Sequence, residues 1–140
     1  MKDFVIDASV AIKWLFLEKG SVQAEKLLEE FSFFFVPDLF FIELDAVITK
    51  KVRQRKIEVK TAMHKIQQVR KLPYKAVNYN NISSLSCELA TSLSVTLYDA
   101  TYLATAIENH GVLYTADQRL VNCVINTTLD EYIKSIWEEG

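Results

Sequence analysis

The sequence predicts an α/β fold built on a mostly parallel sheet, and three observations carry that expectation. Short apolar runs at Phe4-Val5-Ile6, Phe33 to Val36 and Val112-Leu113-Tyr114 read as buried strands, and Tyr74 to Val77 as a further strand. Between them lie longer stretches with apolar residues at helical spacing, and alternation of strands with helices marks a parallel sheet. Acidic residues then stand just past strands, at Asp7 and Asp117, and ligand sites of open α/β sheets lie at the carboxyl ends of strands.

The elements follow in order. After Phe4-Val5-Ile6, Ser9 is expected to cap a helix to about Leu17, with Val10, Ile12, Trp14 and Leu15 as its apolar contacts. Gly20-Ser21 breaks the chain. Ser21 to Glu30 reads as an amphipathic helix, with Val22, Ala24, Leu27 and Leu28 set against Glu25, Lys26, Glu29 and Glu30. Phe33 to Val36 is a short strand ended by Pro37, and Asp38 is placed to cap a long helix from Leu39 to Arg55. Val59 to Lys71 is a further helix closed by Pro73, and Tyr74 to Val77 the third strand. Ile82 to Leu93 is helical, with Leu85, Leu89 and Leu93 at spacing four. Val95-Thr96-Leu97 reads as an extended link, and Asp99 opens a helix to Asn109 that His110-Gly111 terminates. Val112 to Tyr114 is the fourth strand, Asp117 to Asn122 a turn or two of helix. Cys123-Val124-Ile125 is expected as a fifth strand and Leu129 to Glu138 as a last helix.

A chain of 140 residues suits one domain, and the expectation is a single domain over residues 1–140. With half the residues hydrophobic, such a domain buries a core without disulfides. The only two cysteines, Cys87 and Cys123, match no metal-ligand spacing and are expected as buried, reduced thiols. The N-terminus carries Lys2 and Asp3 and enters a strand at once, so no signal peptide is expected. No apolar run is long enough to cross a membrane, which leaves the cytoplasm as the expected location. The net charge of −2 argues against a binder that holds nucleic acid by bulk charge alone. Contact with nucleic acid then has to come from a local patch or from bound cations.

Four acids stand out: Asp7, Glu43, Asp99 and Asp117. Each has an ordinary reading. Asp7, Asp99 and Asp117 are all placed to cap helices. Glu43 has apolar neighbours at helical spacing, but so does Asp45, and periodicity does not choose between them. Aspartyl-phosphate enzymes also place a nucleophile after a first strand. The haloacid dehalogenase pattern asks for Asp where Ser9 stands, and a receiver domain needs an acidic pair where only Asp3 is found. Four carboxylates at compatible places in one α/β pattern form a set of hard oxygen ligands suited to Mg²⁺ or Mn²⁺, which points to metal-dependent phosphodiester chemistry. His64 and His110 have no ligand partner at metal spacing.

Four segments carry a family resemblance. They are Val5-Ile6-Asp7-Ala8-Ser9-Val10, Pro37-Asp38-Leu39 through Glu43, Leu97-Tyr98-Asp99-Ala100-Thr101-Tyr102-Leu103-Ala104, and Leu113-Tyr114-Thr115-Ala116-Asp117. In this order and spacing the chain resembles PIN-domain nucleases, and within them the VapC-type toxins of prokaryotic toxin–antitoxin pairs. The resemblance selects Glu43 over Asp45. It implies a PIN-like α/β fold, a parallel sheet of about five strands flanked by helices on both faces. It also implies an endoribonuclease using one or two Mg²⁺ or Mn²⁺ ions, with Asp7, Glu43, Asp99 and Asp117 as catalytic metal ligands. Ser9 and Thr115 would then hydrogen-bond the carboxylates or a phosphate oxygen. A homodimer and a cognate antitoxin are implied as well. One departure is Ala46, three residues after Glu43, where many members carry Asn; if that Asn steadies the Glu, activity falls. The basic run containing Lys50, Lys51, Arg53 and Arg55 reads as a solvated helix end or as a rail for RNA phosphates. The alternatives are a PIN nuclease of RNA processing or DNA cleavage, and a catalytically inactive PIN fold kept as a binding module.

Overall fold

The computed structural model describes residues 3–137, so Lys2 and Glu138 lie outside the described residues. Five strands form one sheet in the order β3-β2-β1-β4-β5, every neighbouring pair parallel. They are β1 (Phe4–Ile6), β2 (Phe34–Pro37), β3 (Tyr74–Val77), β4 (Val112–Thr115) and β5 (Ile133–Ser135). The helices are α1 (Ala8–Leu15), α2 (Ser21–Glu30), α3 (Leu39–Arg53), α4 (Val59–Arg70), α5 (Ser83–Leu93), α6 (Leu97–Glu108) and α7 (Gln118–Val124). Successive strand residues point to opposite faces, yet Val5 and Ile6 are both fully buried. The sheet is therefore covered on both faces, as all-parallel sheets require. Helix α6 lies along β1, β2 and β4 and is buried almost all round, from Ala100 to Ala106. Among the described residues, no helix is long and apolar enough to cross a membrane.

The end of the chain departs from expectation. Residues 123–125 are not a strand. Leu120, Val121 and Val124 recur at helical spacing and are all buried, so the helix continues through Cys123 and Val124. The fifth strand lies instead within the segment expected as the last helix. Ile133 and Ser135 face inward and Lys134 outward, the period of an edge strand.

Several caps differ as well. Asp7, not Ser9, caps α1: its Oδ1 accepts from the Val10 N–H at 3.3 Å. Asp38 makes no side-chain cap on α3, and its carboxylate accepts from the Tyr79 N–H at 3.4 Å, tying down the chain after β3. Helix α6 begins two residues before Asp99, because the Thr96 hydroxyl accepts from the Asp99 N–H at 3.1 Å. Its C-terminus closes with Gly111 N–H to Ala106 and His110 N–H to Ile107, a Schellman arrangement in which His110, at φ 53°, takes the left-handed position expected of glycine. Gly111 serves a different need: a Cβ there would stand 2.3 Å from the Asp3 carbonyl oxygen. Val22 is exposed rather than part of the α2 core face. Both thiols are free but not buried. Cys87 is exposed, off the Ser86–Leu89 stripe that α5 buries, and Cys123 is half-buried. Of the phenylalanines near β2, Phe34 and Phe40 are core, and Phe31 stacks on Phe4 at 3.3 Å between ring centroids.

Candidate active site

The chain runs from β1 outward through β2 to β3 and returns to β4 on the other side of β1. The strand order thus reverses between β1 and β4, where open α/β sheets leave a crevice at their carboxyl ends. Asp7 follows β1, and Asp117 follows β4.

Asp7 is the most enclosed of the four acids, 6% exposed. Ser9 donates to its Oδ1 and Thr115 to its Oδ2. The same two hydroxyls accept from the next loop, Ser9 from the Ala116 N–H and Thr115 from the Asp117 N–H, each at 3.0 Å. Ser9 and Thr115 therefore join the end of β1 to the end of β4 through one carboxylate. Burial raises the Asp7 pKa from 3.8 to about 6. The Ser9, Thr115 and Val10 donors oppose the rise, and the charge of Asp99 adds to it.

Glu43 sits on the second turn of α3, half-buried. Its Oε1 accepts from the Tyr102 hydroxyl on α6 at 2.6 Å. Burial pushes its pKa up, the Tyr102 bond opposes this, and Asp99 pushes the same way as burial. Asp45 faces elsewhere, in an ion pair with Arg70 on α4, so structure separates the two acids that periodicity left equal. Ala46 is exposed on α3, and Glu43 is held by Tyr102 instead.

Asp99 lies on the first turn of α6. Its pKa is raised by burial, held back by Thr96, raised by Asp117 and lowered by Arg119. Asp99 is thus the shared neighbour: Asp7 and Glu43 feel its charge, and it feels that of Asp117. Asp117 does cap α7 as expected, with Oδ1 accepting from Arg119 N–H at 3.0 Å and Leu120 N–H at 3.3 Å. Its Oδ2 faces the Arg119 guanidinium at 3.7 Å, and Asp99 Oδ2 faces the same group at 3.6 Å.

The donors are all hard carboxylate oxygens, and three of them, desolvated and repelling one another, resist ionisation unless a cation compensates. Among the described residues no three His, Cys, Asp or Glu side chains stand close enough to hold an ion together. Mg²⁺ keeps several waters and binds through one or two carboxylates with substrate phosphate, so the donor chemistry fits it. His64 and His110 are exposed on α4 and at the end of α6.

The basic run is spread out. Lys50 shares the stripe of Glu43 and Val47 on α3, about 10 Å along the axis from Glu43. Lys51 turns toward Phe16, its Nζ 4.7 Å from the ring centroid, where Lys65 joins it at the same distance. Arg53 and Arg55 are exposed at the helix end, Arg55 at φ 59°.

Sequence reasoning passed over Tyr102 and Arg119. A phenol inside a buried helix needs a partner for its hydroxyl, and that requirement points toward Glu43. A cation on the first turn of a helix opposes the macrodipole, a hint that an acid stands nearby.

No curated protein matches the chain in sequence. Among solved structures it is similar in fold to the protein PAE2754 from Pyrobaculum aerophilum, with TM-score 0.70 and 18% identity over 96% of this chain and 91% of that one. It is likewise similar in fold to a chain of a toxin–antitoxin complex from Klebsiella pneumoniae, with TM-score 0.65 and 17% identity over 99% of this chain and 100% of that one. The family model of the PIN domain matches residues 4–123, nearly the whole described fold and all four acids, and the chain therefore belongs to the PIN domain family.

Proposed function

We propose that this chain is a divalent-metal-dependent endoribonuclease, the toxin of a toxin–antitoxin pair. Asp7, Glu43, Asp99 and Asp117 serve as its metal ligands and catalytic acids. The observation that carries the reading is the set of desolvated carboxylates sharing Asp99 as neighbour at the reversal of strand order. Family membership supports it, because PIN domains are generally nucleases. The toxin–antitoxin title of the Klebsiella pneumoniae structure supports the biological setting, with a cognate antitoxin as partner. The reading includes a single domain over residues 1–140, a homodimer, and a cytoplasmic location.

Asp7 is the anchor, locked in one orientation by Ser9 and Thr115. Asp99 and Glu43 supply further negative oxygens, Glu43 aimed by the Tyr102 hydroxyl. Asp117 keeps Oδ1 on the backbone of α7 and offers Oδ2 to the crevice. A bound Mg²⁺ or Mn²⁺ supplies polarisation of the scissile phosphate and a more acidic water. Lys50, in line with Glu43 on α3, extends the positive path for the RNA strand, with Lys51, Arg53 and Arg55 beyond it.

The test is cleavage of a mixed RNA pool by purified protein, freed of any partner, with Mg²⁺ or Mn²⁺. Cleavage lost both in EDTA and in Asp7→Asn supports the reading. No cleavage with either ion overturns it. The alternative is then a catalytically inactive PIN fold acting as a binding module. A protein that cuts DNA but not RNA belongs to DNA cleavage rather than to the ribonuclease reading.

A further inference from the structure

We propose that Arg119 is a built-in counter-cation of the acidic centre. It competes with the divalent ion for Asp99 and Asp117, and it passes to the phosphodiester once that ion is bound. The inference rests on the metal-nuclease reading and adds a residue and a control to it.

The guanidinium stands 3.6 Å from Asp99 Oδ2 and 3.7 Å from Asp117 Oδ2. Among the described residues no other Lys, Arg or His lies within ion-pair distance of the four acids, since Lys13 pairs with Glu18 and Arg70 with Asp45. Arg119 occupies the first turn of α7, where a positive side chain opposes the helix dipole and is disfavoured without an acidic partner. Its side chain is 69% exposed, and both contacts are longer than a hydrogen bond. Charge alone holds it, so it is displaced at small cost.

The oxygen atoms involved give the arrangement its logic. Asp117 Oδ1 is committed to the backbone of α7, which leaves Oδ2 for a cation, and that is the atom Arg119 faces. A divalent ion held by Asp117 would use that same oxygen, and one held by Asp99 would compete for the same carboxylate. Once they are taken, like charge drives the guanidinium outward, tethered by its own stem at the mouth of the centre. A planar group with five donors suits the non-bridging oxygens of a phosphodiester. Arg119 then weakens metal binding in the free protein and strengthens substrate binding in the loaded one.

The experiment titrates Mn²⁺ alone into wild type, Arg119→Gln, Arg119→Lys and the surface control Lys60→Gln by calorimetry, then measures KM for RNA. Two exposed ion pairs predict Mn²⁺ binding about 3- to 10-fold tighter in R119Q. KM for RNA should rise by a similar factor, with R119K between and K60Q unchanged. A structural role for Arg119 does not move the two quantities in opposite directions. Equal or weaker Mn²⁺ binding in R119Q overturns the competition, and an unchanged KM overturns the hand-over to substrate. A wild type that binds no Mn²⁺ sinks the metal-nuclease reading and this inference together. A wild type that binds it, with R119Q unchanged, sinks the inference alone.

Discussion

Asp7→Asn should stabilise the metal-free protein at neutral pH, although it removes the central acid. The Asp7 pKa stands at about 6 rather than 3.8, chiefly because the carboxylate is buried. The folded protein thus binds a proton at this position more tightly than the unfolded chain does. The stability contributed here is fully present below about 3.8 and is lost as pH rises through about 6. At about 1.4 kcal/mol per pH unit, the rise corresponds to about 3 kcal/mol of destabilisation at pH 7.5. Asparagine keeps the volume, caps a helix as well as aspartate, and meets Ser9 and Thr115 with one acceptor and one donor. The assay is urea unfolding of wild type and Asp7→Asn in EDTA at half-unit steps from pH 4 to pH 8. Other carboxylates titrate in both proteins, so the difference at each pH isolates position 7. The variant should be more stable by about 1–3 kcal/mol at pH 7.5 and nearly equal to wild type at pH 4. A variant less stable at pH 7.5, or a difference that does not change with pH, refutes the reasoning.

Three further outcomes test other parts of the molecule. Tyr102→Phe removes the hydroxyl that opposes the burial-driven rise of the Glu43 pKa. The acid limb of kcat/KM against pH should move to higher pH, with about a tenfold loss near its midpoint, and a stationary limb would show that Tyr102 only packs. Gly111→Ala drives a methyl against the Asp3 carbonyl that the Val112 N–H uses. It should cost about 1–3 kcal/mol in urea unfolding, and a neutral result would mean that β4 can shift away from Asp3. Lys50→Ala should lower RNA affinity and cut the slope of log affinity against log salt by about 0.7. Lys26→Ala on α2 should leave both alone, and equal effects of the two would remove Lys50 from the RNA path.

Three of the five strands, β1, β2 and β4, were legible as short apolar runs, largely buried in the middle of a parallel sheet. β3 was legible by its place after Pro73, although it is an edge strand with Lys75 and Ala76 exposed. The fifth was not: Ile133-Lys134-Ser135 is three residues long, and charged neighbours on both sides suit a surface helix equally well. Cys123 and Val124 carry strand-like side chains but obey the spacing of the helix before them. The acids Asp7, Asp99 and Asp117 stood out by position; Asp117 caps α7 as read, while Asp7 and Asp99 had the wrong partners assigned. Ser9 and Asp7 exchange roles, because the serine hydroxyl has a better use across the sheet, on Asp7 and the Ala116 N–H. Asp99 is spared from capping because Thr96 does it. Whether Glu43 or Asp45 faces the crevice is decided by Tyr102 and Arg70, residues far away in sequence. A helical period contains no information about such tertiary partners.

The hydrogen bond from Thr115 to Asp7 spans 108 residues. During synthesis, Asp7 leaves the ribosome early and its partner late; at about 5–20 residues per second the interval is roughly 5–20 s. Throughout that time a nascent chain has neither the carboxylate clamp nor Asp117, and β1 has no β4 beside it. Chains interrupted by a nonsense codon, or trimmed before β4, lack the Thr115 half of the clamp on Asp7 and lack Asp117 altogether.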